Sequence, residues 1–297
     1  MARNRKGRPI NGWVVLDKPT GITSAHAVAR VKRALDAAKV GHGGTLDPLA
    51  TGVLPLALGE ATKLVSYVMD GSKSYRFTVK WGEGRDTDDS EGRVTGTSGV
   101  RPTEARIEAA LPRFTGIILQ KPPSFSAIKV DGARAYDLAR DGAPPDLPPR
   151  EVEVRRFVLL SADEGSASFE MDCGKGTYVR SIARDLALEL GTLGHVTALR
   201  RTRVGPFSEG AAFSLDKIGE LHHSAPPCGL VLPIETPLDD IPAVAVMESE
   251  ADRLRHGQPV FVPRRLDGEV VIKVSGKAVG IGVLSDGNLR PKRLFNL

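Results

Sequence analysis

Residues 41–52 read Gly41-His42-Gly43-Gly44-Thr45-Leu46-Asp47-Pro48-Leu49-Ala50-Thr51-Gly52. No regular element tolerates Gly, Pro, Thr and Asp at this density, so the stretch is predicted to be a loop. Its glycines let the backbone approach a bulky ligand closely or take positive φ, and Pro48 restricts the residue before it to extended geometry. Asp47 is thereby presented as a single carboxylate on a stiff, open loop. An isolated Asp-Pro is ordinarily a turn between helix and strand. Three features elsewhere point further: Lys18 opens the turn Lys18-Pro19-Thr20-Gly21, Tyr75 begins a strand, and Arg180 begins a helix after Gly174-Lys175-Gly176.

Working outward, Gly12 to Asp17 reads as a short buried strand. A helix follows, with Ser24 as its N-cap and Val28, Val31 and Leu35 on one face. From Ser74 the pattern alternates, Tyr75, Phe77 and Val79 against Arg76, Thr78 and Lys80, the period of a half-buried strand that ends in the acidic turn Asp86 to Gly92. Pro122-Pro123 and Pro144 to Pro149 bracket an excursion between Gln120 and Arg150 with a short helix holding Tyr136 and Leu138. Val152 to Leu160 and Ala167 to Met171 are predicted to pair across Asp163-Glu164-Gly165. Val179, Ile182, Leu186 and Leu190 mark the clearest helix, stopped by Gly191. The Pro-rich stretch His222 to Pro242 reads as a domain boundary. Beyond it a short helix, Glu248 to His256, precedes strand-like runs at Pro259 to Phe261, Val270 to Val274 and Ala278 to Leu284. Arg264, Arg265, Lys273, Lys277, Arg290, Lys292 and Arg293 suggest a small β module with a basic face.

The whole chain fits this picture. It has 297 residues, 41% hydrophobic, with 41 Lys plus Arg against 36 Asp plus Glu, a formal charge of +5. A chain of this length buries roughly three-quarters of its unfolded surface, which excludes disorder as the dominant state. The length suggests two domains at about 100–200 residues each. No stretch approaches the roughly 18 consecutive apolar residues of a membrane helix. Cys173 and Cys228 form no disulfide framework, and the basic start at Arg3, Arg5, Lys6 and Arg8 leads into no signal sequence, so a reducing cytoplasm fits. The charge permits a nucleic-acid partner without requiring one.

Several motifs are excluded. Gly174-Lys175-Gly176 lacks the Ser or Thr of a phosphate loop. Asp86, Asp88 and Ser90 start like a calcium loop, but Gly92 falls one position late and Thr97 replaces the bidentate Glu. His222-His223 has no third ligand at zinc spacing.

The remaining residues resemble the TruB-type tRNA pseudouridine(55) synthases. Lys18 to Ser24 is similar to that family's first motif, Gly41 to Leu54 to its catalytic-loop motif, Ser74-Tyr75-Arg76 to its tyrosine motif, and Ser124 to Gly132 to its signature in an RNA-gripping insertion. Gly176-Thr177-Tyr178-Val179-Arg180 resembles the arginine motif and Leu199-Arg200-Arg201 the stretch after it. The likeness spans about Trp13 to Phe207, with Ile128 where Leu is usual, and extends more weakly over a short C-terminal part similar to a PUA-type module. It implies an α+β fold, a pseudouridine-synthase-type mixed β-sheet domain with flanking helices over residues 1–240. An RNA-gripping insertion at about 120–150 and a PUA-like module over 241–297 complete the expectation.

It also implies a chemistry. Making pseudouridine breaks the bond from ribose C1′ to N1 of uracil, turns the base and joins C5 to C1′, with no redox change and no cofactor or metal required. A carboxylate can act as nucleophile or base while the base is detached, and the resemblance gives that role to Asp47. Arg180 would keep it ionised and oriented, with Asp89 bridging to the same arginine. Tyr75 would stack on the flipped uracil and move a proton from C5. His42 would fill space beside the extruded base, Lys18 would support the loop, Leu199 would contact substrate, and Lys129, with Lys121, Arg134 and Arg140, would clamp the RNA backbone. The implied partner is the T-arm of tRNA, with position 55 as target and a monomeric enzyme. Two other classes stay open: an RNA-binding module with a vestigial loop, and a metal-dependent nuclease using Asp86, Asp88, Asp89 and Glu91.

Overall fold

The computed structural model describes residues 7–220, 229–263 and 266–297. Arg3, Arg5 and Lys6, the pair His222-His223, Cys228, Arg264 and Arg265 lie outside the described residues. The main sheet runs in the order Gly12–Lys18, Thr51–Leu58, Gly194–Val204, Lys73–Trp81, Ser166–Cys173, Arg150–Ala162, Gly116–Gln120. Neighbours on this path are antiparallel except at one seam, where Thr51–Leu58 meets Gly194–Val204 in parallel through Arg200↔Thr51 and Arg201↔Gly52. The Asp47 loop feeds into the sheet at that seam.

The two halves of the sheet differ in how they are covered, and the sequence pattern follows. On Gly12–Lys18, Val14 and Leu16 belong to one core while Trp13 and Val15 belong to another. Thr51–Leu58 divides in the same way, Leu54, Leu56 and Leu58 on one side and Val53 and Ala57 on the other. Strands covered on both faces read as continuous apolar runs. Lys73–Trp81 instead alternates, because Tyr75, Phe77 and Val79 face the helices while Arg76 and Lys80 face solvent. Each fully buried side chain of this kind contributes about 1.5–3 kcal/mol.

The helix Val179–Glu189 lays Val179, Ile182, Ala183, Leu186 and Ala187 onto the first core. Its start is held by Gln120, whose Oε1 accepts from the Tyr178 amide at 2.8 Å and whose Nε2 donates to the Tyr178 carbonyl at 3.1 Å. Gly191, at φ +74°, stops it as expected. The excursion between Gln120 and Arg150 leaves and rejoins the sheet at paired residues, for Arg150 and Gln120 face each other across adjacent strands. It contains a hairpin, Lys129–Val130 with Ala133–Arg134, and the helix Ala135–Arg140 that holds Tyr136 and Leu138.

Two local expectations are corrected. Thr23, not Ser24, caps the helix Ser24–Ala34, its Oγ1 accepting from the His26 amide at 3.1 Å. Ser24 is buried and serves the Asp47 loop instead. The segment 41–52 is loop only in its middle, since Val40–His42 pairs with Thr51–Leu58.

Beyond residue 242 lies a five-stranded sheet. Two of its strands were not anticipated. Ala243–Ala245 is short, and Asn288–Leu294 is polar and contains Pro291, which sits beside a register shift in the ladder where the missing N–H is tolerated. Val271, Ala278, Ile281 and Phe295 of this part pack into the same core as Trp13, Val53, Val68 and Phe207. Tyr67 Oη donates to Glu269 at 2.9 Å, and Lys63 Nζ to the Leu294 carbonyl at 2.7 Å, across the same junction. Among the described residues no helix is long and apolar enough to cross a membrane.

Candidate active site

The Asp47 loop is held from below by side chains that donate to its backbone. Lys18 is fully buried, and its Nζ donates to the carbonyls of Ile22 at 2.7 Å, Pro19 at 2.9 Å and Pro48 at 3.2 Å. Burial lowers the Lys18 pKa to about 8 against the pull of Asp47, so the ammonium stays charged at neutral pH. Ser24 Oγ accepts from the Leu46 amide at 2.8 Å and donates to the Leu46 carbonyl at 3.0 Å. Thr20 Oγ1 reaches the Leu49 carbonyl at 3.1 Å. Two glycines make the approach of the neighbouring strand feasible. Gly52 has φ +97°, and a Cβ there would fall 2.2 Å from the Arg201 carbonyl; Gly44 has φ +121°.

Asp47 stands in front of this cradle with its side chain 37% exposed, whereas the side chains behind it, Arg180 and Asp89, are each 4% exposed. Arg180 Nε donates to Asp47 Oδ2 at 2.9 Å and lies 3.6 Å from Asp89 Oδ2. The rest of the guanidinium is used as well: Nη1 donates to the Thr87 carbonyl at 2.8 Å and Nη2 to the Phe125 carbonyl at 2.9 Å. Asp89 is fixed by its own turn, accepting from Thr87 Oγ1 at 2.6 Å and from the Glu91 amide at 3.0 Å. An arginine with every arm engaged has one orientation, and it holds the Oδ2 edge of the Asp47 carboxylate at a fixed point.

Tyr75 lies on the same side of the sheet, 9% exposed. Burial raises its hydroxyl pKa, with Arg201 the largest opposing influence and Asp47 adding to the rise, so the phenol is protonated at neutral pH. His42 is partly buried, its Nδ1 has no partner, and burial followed by Arg201 lowers its pKa, which keeps the ring neutral. Leu199, 8% exposed, faces Phe77 in the ladder. It also lines a hollow of ≈ 540 Å³ with Thr20, Leu49 and Thr51; Asp47, Tyr75 and Arg180 do not line it, so this is an adjoining space. Lys129 stands apart, exposed on the insertion's hairpin.

The residue that sequence reasoning passed over is Arg201. It is 2% exposed, and its guanidinium donates to the carbonyls of Val53 at 2.8 Å, Gly44 at 3.0 Å and Thr45 at 3.3 Å. Its signal was present in strand parity. Leu199 faces inward, and i+2 on a strand shares that face, so Arg201 points in while Arg200 points out to Asp17 at 3.0 Å. Asp88 was also underrated: it is buried and bonded to Arg184 Nη1 at 3.0 Å. Asp88 and Asp89 thus each face an arginine.

Comparison with known proteins places the chain in a family. Residues 32–179 match the model of the TruB family pseudouridylate synthase N-terminal domain. Residues 180–239 match a tRNA pseudouridylate synthase B C-terminal domain, and 242–295 the C-terminal part of pseudouridine synthase II TruB. The chain is 54% identical to tRNA pseudouridine synthase B of Bradyrhizobium diazoefficiens, over 99% of this chain and 88% of that protein. It is 54% identical to the protein of the same name from Gluconacetobacter diazotrophicus, over 99% of this chain and 100% of that one. In fold it resembles a chain in the structure of an H/ACA RNP bound to a substrate RNA containing 2′-deoxyuridine, with a TM-score of 0.75 at 24% identity, covering 100% of this chain and 92% of that one. Three successive family matches and relatives at this identity over nearly the whole chain lead to one conclusion: the chain belongs to the TruB family of pseudouridylate synthases, enzymes that isomerise uridine to pseudouridine in tRNA.

Proposed function

We propose that this enzyme acts on the uridine at position 55 in the T-loop of tRNA, as a cytoplasmic monomer, with Asp47 as its essential carboxylate. The observation that supports the assignment is the contrast in exposure along one hydrogen-bonded line. Asp47 is open to solvent while Arg180 and Asp89 behind it are closed off. The target base leaves the RNA stack at a cost of a few kcal/mol and enters the space in front of Asp47. Asp47 engages the uridine while the C1′–N1 bond breaks, and Arg180 holds the carboxylate in line throughout. The detached uracil turns against the Tyr75 ring, C5 bonds to C1′, and the proton on C5 leaves through the Tyr75 hydroxyl as N1 gains one. His42 and Leu199 border the base, Lys18 and Asp89 keep loop and arginine in place, and Lys129 contacts the RNA backbone from the insertion. Residues 1–240 form the catalytic unit and 241–297 a PUA-like RNA-binding module.

The reading is tested by mapping pseudouridine at nucleotide resolution after incubating unmodified tRNA transcripts with purified enzyme. The wild type is expected to modify one T-loop uridine, and Asp47→Asn to yield no product while binding tRNA within a few-fold of wild type. Substantial product from Asp47→Asn, or modification outside the T-loop, overturns the assignment. Tyr75→Phe is expected to detach the base yet stall before product; ordinary product kinetics for it would remove the proton-transfer role.

A further inference from the structure

Arg180 and Arg184 lie four residues apart on the helix Val179–Glu189 and so project from one face, one above the other. Arg180 spans from the helix to the acid turn at the Thr87 carbonyl and to the insertion at the Phe125 carbonyl. Arg184 repeats that span one helical turn further on: Nη1 donates to Asp88 Oδ2 at 3.0 Å, in the acid turn, and Nη2 to the Lys121 carbonyl at 2.9 Å, at the root of the insertion. Its Nε bonds Asp185 Oδ1 at 2.8 Å, which fixes the plane of the guanidinium. We propose that Arg184 and Asp88 are positioning residues, a second rung that sets the acid turn and the insertion root where Arg180 can hold Asp47 in line. The proposal rests on the reading of Asp47 and Arg180 given above.

The chemistry suits that task. A planar fork holds donors in a fixed plane toward two acceptors on separate segments, whereas an ammonium on a flexible stem sets no such plane. Lys121 is the first residue after the strand Gly116–Gln120, and its carbonyl accepts a second bond from Ser181 Oγ at 2.9 Å, so the insertion is pinned where it departs from the sheet. Asp88 is equally constrained. It takes a left-handed backbone, φ +61°, uncommon outside glycine, and its carbonyl accepts from the Val196 amide at 3.0 Å, which ties the turn to the strand Gly194–Val204. Burial pushes the Asp88 carboxyl up to about 6 against Arg184 and Arg180, so keeping this group ionised at neutral pH works against folding. A buried carboxylate on a left-handed backbone, bonded to the Arg184 guanidinium, is accounted for by the arginine it aligns.

The consequence is separable from RNA binding. If the second rung is removed, Arg180 keeps its own bonds but the two segments that accept them are held there only by the Ser181–Lys121 and Val196–Asp88 bonds and shift by a fraction of an ångström, and Asp47 loses its aim. The test uses the full-length protein and measures single-turnover pseudouridine formation at saturating enzyme, tRNA affinity and thermal melting. Arg184→Gln is expected to slow the single-turnover rate about tenfold, short of the hundredfold that a displacement of order 1 Å can cost, with Kd for tRNA within about twofold. Arg184→Lys is expected to recover part of that loss, and Asp88→Asn with Arg184→Gln to be no slower than Arg184→Gln alone, because the two act as a unit. An unchanged rate, a rate loss matched by loss of folded protein, a weakened Kd with an unchanged saturated rate, or additive losses in the double variant would each overturn the proposal. Full product from Asp47→Asn defeats the underlying reading instead, whereas an inactive Asp47→Asn beside a fully active Arg184→Gln defeats only the second rung.

Discussion

The Asp47 loop and the 120–150 insertion are both Pro-containing excursions from the main sheet, yet they are built in opposite ways. In the loop, successive backbone carbonyls are taken by buried donors: Gly44 and Thr45 by Arg201, Leu46 by Ser24, Pro48 by Lys18. In the insertion, Lys129, Arg134 and Arg140 are wholly or partly exposed, and the two arginines flank the Tyr136 ring at 5.8 Å and 5.5 Å. A loop whose carbonyls are taken by buried cations of the neighbouring strands is set before substrate arrives, which is what a single reacting carboxylate needs. A segment whose cations point outward is suited to a polyanion, where the gain comes from releasing counterions rather than from exact geometry.

That contrast is most exposed at Arg201. Arg201→Gln is expected to destabilise the protein by about 3–5 kcal/mol and to lower turnover at least about a hundredfold, because three carbonyls lose a charged donor and the loop loses its register. Urea melts and single-turnover rates check it; a variant that melts normally and turns over normally would mean the loop holds itself.

The junction between the two regions is probed by pH. Asp88 has its carboxyl at about 6 in the folded protein against an ordinary 3.8. The folded state therefore binds more protons than the unfolded state between those values, and the contribution of Asp88 to stability falls as pH rises through that window. Relative to Asp88→Asn, the wild type is expected to gain stability as the pH drops from about 6 to about 4, by at most roughly 3 kcal/mol. Parallel stability profiles for the two proteins would place Asp88 in a more solvated setting than the structure gives it.

The smallest effect is expected in the insertion. Replacing Lys129, Arg134 and Arg140 together with Ala should weaken tRNA binding about tenfold and leave the rate at saturating enzyme within about twofold. The dependence of log Kd on log salt should flatten by about 0.7–0.9 for each phosphate that the three cations no longer neutralise. A saturated rate that falls as far as it does for Arg201→Gln would erase the distinction between the two regions.

The candidate site was legible in the chain to an uneven degree. Asp47 stands in a short stretch whose composition sets it apart, whereas Tyr75 and Arg180 were marked as site residues by the family resemblance; the structure brings all three to one side of the sheet. Lys18 was visible only as the start of a turn, yet it is one of the largest fully buried side chains. Asp89 stood in the chain as one carboxylate of an acidic turn, and only the family resemblance set it beside Arg180; the structure has it shielded behind Asp47, 3.6 Å from that arginine. Ser24 was assigned to its own helix because capping is a local rule, but the adjacent Thr23 serves the cap and frees Ser24 for a loop 22 residues away.

The sequence by itself determined what depends on near neighbours. Alternation along Lys73–Trp81, the three-and-four spacing of the Val179–Glu189 helix, the Gly and Pro punctuation around Asp47 and the paired strands either side of Asp163 all follow from steric and hydrophobic rules that act within a few residues. Tertiary structure decided which cations go inside. Arg200 and Arg201 are adjacent and chemically identical, yet one meets Asp17 near the surface and the other is sealed against Gly44, Thr45 and Val53. The reason is physical. A guanidinium can leave water only where enough acceptors converge to replace its hydration, and those acceptors come from segments about 150 residues distant that meet only when the parallel seam closes.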